Sequence, residues 1–598
     1  MWPLLLCALL CPVLALSPWP LSEGVHTLLD GALLGPLSGC SLEPGAVHKD
    51  PRPLIVREHP WEAVLGFYSS LAFLPAPLSP SGLAQWHWYY TCAWSDLFTD
   101  PPSFCVAVST DAGATWSKPL LPYYPWTGGA NGTLPPTPTN IVFRTQSNTF
   151  SGSVLVDSRA ATPREEAIQL GFEASVQGQA IRMPYAARSS DGLRFESWEA
   201  AVARGPLLQQ ATFADTNLAL AAAYGSAGSS AVLMAGRTDS ATGGSQVQHG
   251  QAYCADSSPP HRAPLGTLLQ CNSSSSSSGC NISSPGAWPP PHQLLALGYP
   301  DDDQCLDVYN FPAVSLGPDA AFGGRASWVA LPSSIRHLPQ AQSGAPTSRA
   351  SGNDGFMDVR LAVSRNALNW STPATSAFLP RGVGLRDPSG LFNGSGSDPD
   401  AGFVYVANGG VLDPDAALPA EGSPALAAAP PPSPWLHILY WGGQTTHAGG
   451  GAFWYELPGA FTGLLRARVR REGWMALSSP RTGTGLGWAT TLPLLLPLNS
   501  TRNGSVLVMR LNAEVDASGN LTVQLQDAGT MLPLPGYAHE DCLPLRGNGL
   551  RQELVWGANR STWLGGSPAL PAAAGSAGLV LNFSMVHAKV FAWELAWV

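Results

Sequence analysis

The octapeptide Ser109-Thr110-Asp111-Ala112-Gly113-Ala114-Thr115-Trp116 constrains this chain more than any other stretch. It recurs in weaker form as Ser189-Ser190-Asp191-Gly192-Leu193-Arg194-Phe195 and as Ser364-Arg365-Asn366-Ala367-Leu368-Asn369-Trp370. Each copy follows an alternating strand, at Cys105–Val108, Met183–Ala187 and Val359–Val363. Asp and Gly supply a tight turn, and the aromatic folds back onto the sheet. The copies lie 80 residues apart (109 to 189) and then 175 apart (189 to 364). About 420 residues at roughly 80–90 per unit predict a propeller of about five blades. A hairpin turn in some other all-β protein is the plainer alternative.

Composition agrees with many short strands. Of 598 residues only 12 % are charged, while 63 Gly and 56 Pro punctuate the chain, which argues against a helical fold. A net charge of −10 offers no basic stripe, so nucleic acid is not an expected partner. The 21 Trp suit both blade cores and sugar stacking.

Residues 1–17 read as a secretory signal, and no later segment is long and uncharged enough to span a bilayer. Asn-X-Ser/Thr sequons begin at Asn131, Asn272, Asn281, Asn369, Asn393, Asn499, Asn503, Asn520, Asn559 and Asn582. Together they predict a glycosylated, secreted or luminal protein. Without Cys7 and Cys11 of the signal, an even set of cysteines remains, as disulfides require. Cys92 and Cys105 are placed to bridge a hairpin, and Cys271 and Cys280 to close a Ser-rich loop. No zinc spacing, nucleophile elbow or phosphate loop is present.

Residues 45–470 read as the propeller. Three stretches look like unpacked insertions: 255–292, 338–352 and 412–434. Residues 471–598 read as a β-sandwich, in which Ser505–Ala513 and Leu521–Gln526 flank a turn at Ala517–Asn520. Gly578–Phe583 and Val590–Leu595 are its later strands.

Several stretches in order carry a family likeness. They are His59-Pro60-Trp61-Glu62, the box ending at Trp116, Asn140–Phe143, Ala214–Asn217 and Asp307–Pro312. Met357–Ser364, Asp400–Tyr405, Tyr440–Gly443 and Pro535–Cys542 follow. On these the chain resembles secreted and bacterial proteins related to glycoside hydrolase families 32 and 43, of a poorly characterised branch rather than of invertase itself. The resemblance covers nearly all of the mature chain and implies an all-β fold, a five-bladed β-propeller followed by a C-terminal β-sandwich. It also implies carbohydrate-active hydrolysis of an oligo- or polysaccharide, with no cofactor and room for a structural cation in the tunnel. The chain departs from the family in lacking the W-x-N-D-P-N-G motif, and Arg386-Asp387-Pro388 falls too late to match the clan's Arg-Asp-Pro. Invertase catalytic residues therefore do not transfer.

Glycoside hydrolysis takes two carboxyl groups across the scissile bond. Acids on polar breaks beside apolar strands are the candidates: Asp215, Asp307 and Asp400, spaced 92 (215 to 307) and 93 (307 to 400) residues apart, near the blade period. Glu62, Tyr309 and Trp61 are candidate substrate contacts. Each has a bland counterpart: a turn cap for Asp215, a solvated loop for Asp307, an Asx turn for Asp400, a blade-edge ion pair for Glu62 and core filling for Tyr309. Asp111 and Asp191 read as structural. The rival functions are a non-catalytic glycan-binding or cell-wall protein and a sialidase-like enzyme. Sparse arginine near Asp215 and Asp307 argues against the latter. Oligomeric state is open.

Overall fold

The computed structural model describes residues 19–20, 24–94, 102–128, 132–146, 151–157, 162–174, 183–208, 215–224, 230–237, 264–271, 288–289, 292–294, 306–319, 325–337, 355–383, 398–416, 432–446, 461–480, 485–495, 507–557 and 578–597. The fold is all-β. Among the described residues no helix is long and apolar enough to cross a membrane. The signal-like residues 1–17, and the sequons at Asn131, Asn272, Asn281, Asn393, Asn499, Asn503 and Asn559, lie outside the described residues, as do Cys280, Arg386-Asp387-Pro388 and 338–352.

The chain divides into two compact units, 44–318 with 326–471, and 1–43 with 319–325 and 472–598. The larger unit is a succession of antiparallel meanders. In the first, Val64–Leu74 pairs with Gln85–Ala93, which pairs with Ser103–Ser109. The second is Gly152–Val156, Ile168–Ala174 and Met183–Ser189. The third is Asp215–Tyr224, Ser230–Arg237, Pro264–Cys271 and the short His292–Gln293. The fourth runs from Leu306 to Ser371, with kinks that split each long strand in two. The fifth, Phe403–Leu412, Trp435–Gly443 and Thr462–Arg470, takes its outer strand, Val47–Lys49, from far upstream.

Pro264–Cys271 corrects the expectation that 255–292 stays unpacked. Its eight residues pair one for one with Ser230–Arg237, because Leu268 and Leu269 supply apolar surface ahead of the Ser-rich run.

The inner strands are tied by small polar side chains. Ser70 Oγ accepts from the Val154 amide (2.8 Å), and Ser151 and Ser153 Oγ accept from the Leu218 and Leu220 amides (3.1 and 2.9 Å). Asn408 donates to the Leu218 carbonyl (2.9 Å) and pairs in parallel with Ser70. Asn310 donates to the Val406 carbonyl and accepts from the Ser333 amide. The matched steps 151/218 and 153/220 show neighbouring inner strands running the same way. Larger side chains at these positions would force the strands apart.

All three boxes close a turn through their Ser and Asp or Asn side chains, the first turn one residue longer than the other two. Ser109 Oγ accepts from the Gly113 amide (2.8 Å), and Asp111 Oδ1 accepts from Ser109 Oγ and the Thr115 amide. Asp191 accepts from the Leu193 and Arg194 amides, and Asn366 from those of Leu368 and Asn369. Positive φ at Ala112, Gly113, Gly192 and Ala367 completes the turns. Trp116 then packs on Trp88, Phe195 on Tyr89 and Trp370 on Phe311. Cys92 and Cys105 form the expected disulfide across adjacent strands.

In the smaller unit, the turn expected at Ala517–Asn520 is a bulge within one long strand. Leu507–Asp527 pairs along both halves with Leu579–Trp597, slipping register between Val515 and Asn520. The partner strand takes up the mismatch at His587, whose φ is +47°. The strands expected at Gly578–Phe583 and Val590–Leu595 are likewise parts of that single partner. Cys40 and Cys542 are free thiols, and burial pushes both up to about 11. Asn520 and Asn582 are half-buried within these strands, whereas Asn369 is exposed on its box turn.

Candidate active site

Strand direction separates two ends of each meander. In the first, Leu65, Cys92 and Ser103 share one end, while Phe73, Trp86 and Ser109 share the other. The boxes therefore sit where the inner strands finish. The candidate acids sit where they begin: Asp215 opens its strand, Asp307 is second in Leu306–Val308, and Asp400 and Glu62 lie just before Phe403 and Val64. Two of these strands bulge just inside that end, between Leu65 and Ser69 and between Asp215 and Ala219. A bulge re-aims the residues beside it.

The side chains of Asp215 and Asp307 lie outside the described residues, as do those of Cys271 and Arg237. Their strand positions are defined: Asp215 faces Arg237 in register, and Asp307 faces Ile335, which is fully buried.

Asp400 is 2 % exposed. Its Oδ2 accepts from Lys49 Nζ at 2.6 Å and from the Tyr440 hydroxyl at 3.0 Å. Tyr440 is on the second strand of its meander and Lys49 on the outermost, so this carboxylate bonds across its own sheet. Burial, then the Asp400 charge, pushes Tyr440 far above the usual tyrosine range, so it stays a donor. A side chain at Gly382 would reach 2.5 Å from Asp400 Oδ1, and only glycine fits there.

Glu62 is fully buried. Its oxygens accept from Tyr90 (2.7 Å), Lys118 (2.8 Å) and the amides of Glu58 and His59 (3.1 and 3.2 Å). Trp61 Nε1 donates to Asn140 Oδ1 at 2.8 Å, and Asn140 donates on to the Tyr90 oxygen at 2.7 Å. Burial, then Glu62, pushes Tyr90 well above its ordinary range. Tyr309 is 4 % exposed, with its hydroxyl 3.2 Å from that of Tyr68.

The residues that sequence reading missed are Lys49, Lys118, Tyr90, Tyr440 and Asn140, together with the serines and asparagines between inner strands. Small polar residues inside apolar runs, as in Ser69-Ser70 and Ser151-Gly152-Ser153, were the available signal. Among the described residues no group of three or more His, Cys, Asp or Glu is gathered to hold a metal.

No family model and no curated protein matches this chain. Solved structures similar to it include an N-acetylgalactosamine deacetylase from F. plautii in complex with blood group B trisaccharide (10 % identity, TM-score 0.38, 73 % of this chain and 97 % of that one). Another is a thermostable family-43 glycoside hydrolase (12 %, 0.34, 73 % and 97 %). A third is the Bombyx mori GH32 beta-fructofuranosidase (10 %, 0.32, 92 % and 95 %). At such scores these likenesses carry no weight on the site, and the all-β assignment rests on the strand pairing itself.

Proposed function

We propose that this chain is a secreted, glycosylated, carbohydrate-active hydrolase that cleaves a glycosidic bond of an oligo- or polysaccharide at the end where its inner strands begin. Its meanders are taken as five propeller blades over 45–470, followed by a sandwich over 471–598. The observation that carries this reading is the start of two inner strands at Asp215 and Asp307, on the end opposite the structural boxes.

Asp215 and Asp307 are assigned the acid and the nucleophile or base between them, one protonating the leaving oxygen and the other attacking or activating water. Asp400, engaged by Lys49 and Tyr440, takes the supporting role, and Glu62, Trp61 and Tyr309 hold the site from beneath.

A panel of plant and algal polysaccharides tests this. The wild type should cleave at least one, and Asp307→Asn should lose about 10²–10⁴-fold in kcat. Binding without cleavage across the panel would favour the non-catalytic glycan-binding alternative.

A further inference from the structure

We propose that Trp94 and Trp126 form a stacking platform for a neutral oligosaccharide at the rim of the first meander; this rests on the carbohydrate reading above. Among the described residues, the hairpin Leu121–Trp126 with Thr137–Thr139 pairs with no other strand. It carries Pro122, Pro125, Pro135, Pro136 and Pro138. Proline removes the amides that would recruit a further strand, so the ribbon is unsuited to sheet extension.

A two-stranded ribbon is marginal alone. This one is seated by Trp126, whose ring centroid is 6.3 Å from that of Trp61 and 6.0 Å from that of Trp94. Trp61 is fixed in turn by Asn140, Tyr90 and the buried Glu62–Lys118 pair. Burying an ion pair adds little net stability over an apolar substitute. What it adds here is a fixed orientation for Trp61, and through Trp61 for Trp126.

The platform lies at the acid-bearing end. Trp94 follows Ala93, the register partner of Val64, which opens the first inner strand. Both tryptophans are half-buried, and their ring planes meet at 56°. Indole faces suit the C–H face of a sugar ring. Among the described residues, the charges beside Trp61 are engaged: Glu58 pairs with Lys118 at 3.2 Å, and Arg57 donates to the Ala63 carbonyl at 2.9 Å. This favours an uncharged ligand.

The test compares Trp94→Ala and Trp126→Phe with the wild type, using oligosaccharides released from whichever polysaccharide the wild type cleaves. Trp94 lies outside the ribbon, and phenylalanine keeps an aromatic seat, so neither change should unfold the hairpin. Trp94→Ala should raise KM about tenfold with kcat held within about twofold, and Trp126→Phe should raise it less. Ligand should quench wild-type tryptophan fluorescence more than that of Trp94→Ala. Unchanged KM in both variants beside normal wild-type turnover would overturn the platform alone. A kcat loss at constant KM, or loss of self-association instead of sugar affinity, would overturn it too. A wild type that neither cleaves nor binds any saccharide would overturn the functional reading beneath it.

Discussion

The first and fifth meanders contain the same device built to different tightness. Each has an acid just before its inner strand, a tyrosine on the second strand and a lysine from beyond that strand: Glu62, Tyr90 and Lys118, just after the box, in one, and Asp400, Tyr440 and Lys49, on the outermost strand, in the other. Glu62 has donors on both oxygens, and its lysine is 6 % exposed. Asp400 takes both side-chain donors on one oxygen, and its lysine is 24 % exposed. The first triad locks a local turn. The second ties a strand near the start of the chain to a meander some 350 residues later. An arrangement that recurs in two meanders is better explained by sheet geometry than by chemistry at one centre. This is why Asp400 is given a supporting role.

Four measurements can break or sharpen that contrast. Lys118→Met strands a fully buried carboxylate and should cost about 3–5 kcal/mol in urea unfolding. A loss below about 1 kcal/mol would show that Glu62 is not locked.

Acid should act next. Burial holds His87 and His437 down to about 4, the nearby Asp191 partly opposing this at His87 and Arg466 and Arg468 adding to it at His437. Both folded values lie below the unfolded one. Their contribution is therefore complete above about 6.5 and is lost as pH falls toward 4. For fully buried His87 it amounts to about 3 kcal/mol at most, and for half-exposed His437 to less. His87→Gln should flatten the stability profile over this window more than His437→Gln. Equal flattening would erase the tight-versus-open distinction.

Lys49→Met should cost about 1–3 kcal/mol, less than Lys118→Met because water reaches the latch. Smallest is Ser109→Ala, which removes one cap of a box turn for about 1 kcal/mol in the same unfolding assay.

What the sequence revealed was local. The boxes were legible because Ser, Asp and Gly close their hydrogen bonds within a few residues. Even the degenerate copy with Asn366 makes them, since an amide oxygen accepts as a carboxylate does. The Cys92–Cys105 bridge was legible from two adjacent strands. Asp215 and Asp307 were read as acids on polar breaks beside apolar strands, and they stand first and second in theirs. The triads were not legible, because Lys49 and Asp400 are joined only by the fold. Nor were the inner-strand bonds of Ser70, Ser151 and Asn408, whose small side chains carry no signal until neighbouring sheets are placed. The long strand Leu507–Asp527 was read as two strands flanking a turn. Ala517-Ser518-Gly519-Asn520 has turn chemistry, yet pairing to one continuous partner outweighs it.

The most direct measurement is kcat for Asp307→Asn beside Asp111→Asn on a saccharide that the wild type cleaves. The two residues stand at opposite ends of their meanders. The account predicts a loss of at least about 100-fold for the first and near wild-type turnover for the second. Full activity in Asp307→Asn, or equal losses in both, would contradict it.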